Sequence, residues 1–528
     1  MTTSPVRIPW AIAVVCAALV PVLGQSPDVP RLIVLARAGP PAIEEGVIPD
    51  VSHAPGAAES LRRAAIRSSL SEARTGASRA AFAAGRVLVK FREGVSAGAR
   101  LSTIRAISRT AAMMPRPSHA DFDVVRIDPS DDPEAVALAL GGETGVEYAQ
   151  AAYLVHTMFV PNDPLYATLQ WNLPLLNLEK AWDIQPQAGS SIIVAVLDSG
   201  MAFQDATITG VLPSFVDETG RRYPALGRVT MPYAAAPQLV GAAGAGRIVA
   251  PHDFIWDTET PLDFDGHGTH VSGTIGQLTN DGIGTAGVAF NVKLMPVKVI
   301  DNLWDALLGA PNDADDETVA RGIRYAADNG ARIINMSIGR TGPAAPAIEA
   351  AVRYAVAKGA FIAIAAGNDF EAGNPTEVLA EIASRVQGAV SVAAVDRDRA
   401  HAYYSNTGSW VELAAPGGSD RGFGSEGYVW QQTFDYNFSD TFLLPPARFR
   451  APRFDVFGYI GYIGTSMATP HVSGIAAMLM QQGVTSPAAI EAVLERSAVD
   501  LGDKGRDDTF GFGLVDARLA LRGLGLAR

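Results

Sequence analysis

From residue 192 onward the chain alternates short apolar runs with amphipathic stretches. Residues 192–197, 292–299, 332–336, 361–365 and 389–395 are almost continuously apolar, which is the pattern of strands buried on both faces. Residues 318–329 and 347–357 carry apolar side chains at helical spacing, and Gly359 stops the second. This alternation predicts an α/β domain with a parallel sheet flanked by helices, in which ligands bind beyond the carboxyl ends of the strands. Upstream the pattern changes. Residues 86–91 (RVLVKF) alternate like a half-buried strand, followed by a helical stretch at 101–109, a strand at 122–127, a helix at 133–140 and a strand at 146–155. That order predicts a small α+β, ferredoxin-like unit over 81–158, ahead of a larger domain over 159–528.

The first 24 residues read as a secretory signal. Arg7 supplies positive charge, 8–23 is an apolar run, and Val22 and Gly24 are small enough for cleavage. The run holds Pro9 and Pro21 and falls short of the ~20 apolar residues of a spanning helix, so secretion without a retained membrane anchor is expected. Residues 25–80, rich in Ala, Ser, Pro and Arg, read as a flexible leader. A net charge of -13 over 528 residues argues against a nucleic-acid or anionic-membrane partner. Cys16 is the sole cysteine, so an intramolecular disulfide, a Cys-based metal site and a cysteine nucleophile in the mature body are excluded.

Three motifs carry candidate chemistry. GTSMATPHVSG at 464–474 puts Ser466 where a helix begins, DGHGTHVSG at 265–273 contains His267, and Asp198 ends the apolar run of IIVAVLDSG at 192–200. A lone serine is a poor nucleophile without a base and an orienting acid, and all three are present in the order Asp, His, Ser. His267 and His270 lie three apart with no glutamate between them, unlike the H-E-x-x-H zinc pattern, so His270 is expected to be a packed neighbour. GIGTAG at 282–287 matches a dinucleotide fingerprint but follows a helix and precedes a strand, the reverse of what such a site needs.

These motifs resemble those of the subtilisin-like serine proteases, the subtilases. The resemblance covers about 162–520 and implies a subtilisin-like fold with Ser466 as nucleophile, His267 as general base and Asp198 as its orienting acid. It implies that Asn368, in AIAAGN at 363–368, stabilises the oxyanion. It also implies that Ser337, Ile338 and Gly339 pair with an extended substrate, and that Ala365, Ala366 and Gly367 floor a pocket for an apolar side chain. The unit at 81–158 resembles the family's inhibitory prodomain, expected to act on its own enzyme and to be cut between 156 and 162, after Met158. Residues 278–285 resemble the family's calcium loop, with Leu278, Asn280, Ile283, Thr285 and Asp163 as candidate ligands of a structural calcium. The acidic residues at 313–317 need only a helix dipole to explain them. Residues 303–316 and 417–459 read as insertions. The expected protein is a monomeric, extracellular endopeptidase of protein or peptide substrates. The alternatives are a silent subtilase-fold binding protein that keeps its prodomain, and an acid-active sedolisin, whose site has Glu where His267 stands.

Overall fold

The computed structural model describes residues 82–153, 159–217, 220–241 and 244–522, with the two-residue strands Val15–Cys16, Ile33–Val34 and Arg37–Ala38. The expected signal and leader otherwise lie outside the described residues, as does the expected cleavage segment at Met158. The chain divides into two compact units, a smaller one of Ile48–Met158 and a larger one of Met1–Val47 with Phe159–Arg528.

In the smaller unit, β1 (Phe82–Phe91), α1 (Ala97–Ile107), β2 (Ala112–Met113), β3 (Asp123–Arg126), α2 (Pro133–Gly141) and β4 (Val146–Tyr153) form an antiparallel sheet ordered β2-β3-β1-β4 with two helices. Val87, Val89 and Phe91 alternate inward to meet Ile104, Val125 and Leu140. Ser96 caps α1 by accepting from Ala99 N, and Asp132 caps α2 by accepting from Glu134 N ahead of Pro133.

The larger unit is built on seven parallel strands. In chain order the elements used below are β5 (Ile193–Asp198), β6 (Ala206–Leu212), β7 (Gly227–Tyr233), β8 (His252–Asp253), α3 (His267–Gly276), β9 (Lys293–Lys298), α4 (Asp316–Asp328), β10 (Ile333–Met336), α5 (Pro346–Ala357), β11 (Phe361–Ala365), β12 (Ala389–Val395), β13 (Leu413–Pro416), β14 (Val429–Phe434), β15 (Phe457–Tyr462) and α6 (Thr465–Gln481). The sheet order is β8-β9-β5-β10-β11-β12-β13. Along β5, Val194 and Val196 face one core with Ile275, Val472 and Ile475, while Ala195 and Leu197 face a second with Ile323, Val352 and Ile362. Burial on both faces is why these strands lack polar alternation. After β5 the chain adds β9 on one side, then crosses to begin β10 on the other. A crevice for ligands opens at such a reversal, and Asp198 and Ser337 stand at its two lips.

Two features depart from the expected layout. Residues 417–459, read as an insertion, contain β14 and lead into β15, and this hairpin packs on α3. Three consecutive residues of β14 are polar and buried: Gln431, Gln432 and Thr433 bond to Ala286 O, to Gln238 N and to Gly266 O. Residues 303–316 open with the short helix Leu303–Leu308, held by a capping box of Asn302 and Asp305.

Candidate active site

β5 delivers Asp198 and α3 delivers His267. They meet because Gly268 has no side chain, since a Cβ there would lie 2.2 Å from Gly200 O and 3.1 Å from Asp198 Oδ1. His267 Nδ1 is 2.8 Å from Asp198 Oδ1, which also accepts Ser199 N at 2.7 Å. With Nδ1–H donated to the carboxylate, Nε2 is left as the acceptor, and it has no protein partner among the described residues. Burial disfavours the charged ring, but Asp198, backed by Asp265 and Asp263, outweighs it and raises His267 above the ordinary imidazole value. Asp263, fully buried, accepts from Gly266 N, Thr269 N, Thr269 Oγ1 and Ser199 Oγ and so satisfies the unpaired start of α3.

His270 is a buried neighbour in the same helix. Burial holds its pKa down to about 3, its Nε2 donates to Ile460 O at 3.0 Å, and its ring stacks on Tyr462 at 4.4 Å. It thereby ties α3 to the hairpin.

Ser466 is the second residue of α6. Pro470 has no N–H, so the carbonyl of Ser466 loses its usual helical donor. Ser337 Oγ supplies one at 2.8 Å, and Ser466 Oγ in return donates to Ser337 O at 3.0 Å. The structure therefore joins Asp198 to His267 and Ser466 to Ser337, with the nucleophile's hydroxyl turned to a backbone carbonyl rather than to the ring.

Asn368 follows β11. Its Oδ1 accepts from both Thr465 N and Thr465 Oγ1 at 2.9 Å. Those donors fix which end of the amide is oxygen, so the Nδ2 donor is the end left to work beside the start of α6. Ala365, Ala366 and Gly367 are buried, and a Cβ on Gly367, whose φ is +107, would lie 2.6 Å from Asn406 Nδ2. The strand Ile338–Gly339 pairs antiparallel with Ile33–Val34, so its backbone accepts an added strand.

One residue at this wall escaped sequence reasoning. Glu377 is buried, its Oε1 accepts from Arg340 N at 2.6 Å and Leu379 N at 3.2 Å, and a Cβ on Gly339 would sit 2.5 Å from its carboxyl carbon. Nothing near it in sequence marks it, because the contact spans 37 positions.

At the loop expected to hold calcium, Asp163 Oδ2 accepts Asn280 N at 2.7 Å while its Oδ1 is buried with no hydrogen-bond partner among the described residues. Asp281, which was not anticipated, adds its charge at the same place, and Gln238 Nε2 donates to it while Gln238 Oε1 has no partner among the described residues. Burial, with Asp281 adding, pushes Asp163 up to about 7. Two carboxylates with two uncommitted oxygens fit a hard cation. Leu278 N donates to Gln238 O, and Ile283 N to Asp281 Oδ1. Both oxygens of Thr285 bond Gln277 Nε2.

The family model described as the subtilase family matches residues 189–513, and that of the fervidolysin N-terminal prodomain matches 69–151. A thermophilic serine proteinase of Bacillus sp. (strain AK1) is 28% identical over 414 residues, covering 78% of this chain and 82% of its own. Thermitase of Thermoactinomyces vulgaris is 29% identical over 347 residues, covering 66% and 94%. A solved protease from Pseudoalteromonas arctica superposes with a TM-score of 0.51 at 27% identity, covering 69% of this chain and 99% of that one.

Proposed function

The chain belongs to the subtilase family of serine proteases, and from that premise we propose that it is a secreted endopeptidase, made as a proenzyme and released by its own cleavage. The observation that carries the reading is the buried Asp198–His267 pair, whose free Nε2 is oriented as a proton acceptor.

An extended substrate lies along Ile338–Gly339 as an added strand. Its N–H competes for Ser337 O, the present acceptor of Ser466 Oγ, and frees the hydroxyl for His267. Catalytic contacts commonly tighten only once substrate is bound. Ser466 Oγ then attacks the scissile carbonyl carbon as its proton passes to His267 Nε2. Asp198 holds the resulting imidazolium, and Asn368 Nδ2 with the N–H of Ser466 receives the oxyanion. His267 returns the proton to the leaving amine as the C–N bond breaks, and water repeats the steps in reverse to hydrolyse the acyl-enzyme. Calcium, held by Asp163 and Asp281 with Gln238, would supply charge neutralisation that rigidifies loop 278–285.

A fluorophosphonate probe should label the protein, and Ser466→Ala should lose both labelling and casein hydrolysis and accumulate as uncut precursor. Casein cleavage by that variant would overturn the assignment. N-terminal sequencing of active enzyme should place the start just after Met158, and a start upstream of Tyr148 would show that the boundary of the inhibitory unit is misplaced.

A further inference from the structure

The wall that faces Ser466 carries an acid. Along 337–339, Ser337 bonds Ser466 and Ile338 turns into the core behind the sheet, so Gly339 presents the same side as Ser337. A Cβ built on Gly339 would lie 2.5 Å from Glu377 Oε1 and 2.9 Å from Oε2. The missing side chain is thus the space the Glu377 carboxyl fills.

Among the described residues this carboxyl forms no ion pair. Its hydrogen bonds come from two backbone N–H groups on one oxygen, Arg340 N and Leu379 N. The guanidinium of Arg340 is committed elsewhere, to Asp316 through two 2.7 Å bonds and to the carbonyls of Thr341 and Pro343. The other charged group acting on Glu377 is Asp369, directly after Asn368, and it carries the same sign. A buried carboxylate without a cation is costly, so the group keeps its proton unless a cation, such as a basic substrate side chain, comes beside it.

We propose that Glu377, with Asp369 beside it, gives the primary specificity pocket a charge preference: lysine and arginine side chains are accepted alongside uncharged ones, and acidic side chains are rejected. This rests on the peptidase reading above and extends the apolar preference expected from the sequence. Burial first, with Asp369 adding and Arg340 opposing, holds Glu377 up at about 8. Around neutral pH the carboxyl is protonated and admits uncharged side chains. Self-processing depends on that form, because residues 127–179 contain neither lysine nor arginine. At alkaline pH the ionised form selects cations.

The test uses the full-length protein after self-activation and three peptide p-nitroanilides that differ only in Lys, Met or Glu at the residue before the scissile bond. Taking the Lys/Met ratio of kcat/KM cancels the ionisation of His267, which both substrates share. The ratio should rise with pH between 6.5 and 9.5 as Glu377 ionises, become flat in Glu377→Gln, and the Glu substrate should be the poorest throughout. A Lys/Met ratio in the unaltered enzyme that stays constant with pH overturns the proposal while leaving the peptidase reading intact, and it decides the matter even if the variant fails to fold. Cleavage of none of the three, with no fluorophosphonate labelling, overturns the peptidase reading and this inference with it.

Discussion

Ser337→Ala isolates a dependence created by Pro470. The substitution removes a hydroxyl that donates to Ser466 O at 2.8 Å and accepts Asn335 Nδ2 at 3.0 Å, both in the interior. Ser466 O has no helical donor to fall back on because residue 470 is proline. A buried polar group left unpaired costs about 1–3 kcal/mol, so losing both partners should cost roughly 2–6 kcal/mol. Urea denaturation is best done in a Ser466→Ala background, which keeps the backbone carbonyl and stops self-digestion, with hydrogen exchange in α6 reporting the local loss. The partner variant is Pro470→Ala, which restores an N–H four residues after the carbonyl. It should rescue Ser337→Ala by about 1 kcal/mol beyond additivity, because the two donors serve one acceptor. Additivity within about 0.5 kcal/mol would refute the claim that Ser337 replaces the bond that Pro470 forgoes.

Because Asp198 raises His267 and only the neutral ring accepts a proton, kcat/KM should increase with pH through an ionisation above 6.5, and Asp198→Asn should shift that inflection downward; an inflection near pH 4 would favour a carboxyl base instead. Asn368→Leu should lower kcat by about 10²–10³, the size found for losing such a donor in a subtilisin, with little change in KM; a large rise in KM at constant kcat would assign the residue to substrate binding. Chelation should lower the thermal midpoint of the Ser466→Ala protein, and calcium at 100 times its Kd should restore about 2.7 kcal/mol. Since burial holds Asp163 at about 7, protons compete for the site below that pH, so the calcium-dependent gain should shrink on acidification and vanish in Asp163→Ala; a gain independent of both would move the calcium elsewhere.

The sequence by itself determined what depends on local pattern. Phe361–Ala365 and Ala389–Val395 are strands with the bounds expected from their apolar runs, because a strand covered on both faces must be apolar at every position. The α/β class and the small α+β unit followed from the same periodicities, and the subtilase motifs from contiguous residues. Only the tertiary structure decided what depends on distant partners. Gln431, Gln432 and Thr433 look like surface residues in sequence, and become a strand only because they satisfy the loop and helix on which they pack. Ser337 looks like the end of a strand until Pro470 is seen to leave it a carbonyl to serve. Glu377 reads as an ordinary helix-start acid, and it does cap Leu379 N. Its place against the strand arises because Gly339, 38 positions earlier by number, has no side chain to exclude it. Burial and pairing across the chain are properties of packing, and periodicity carries no record of which partner a polar side chain will meet.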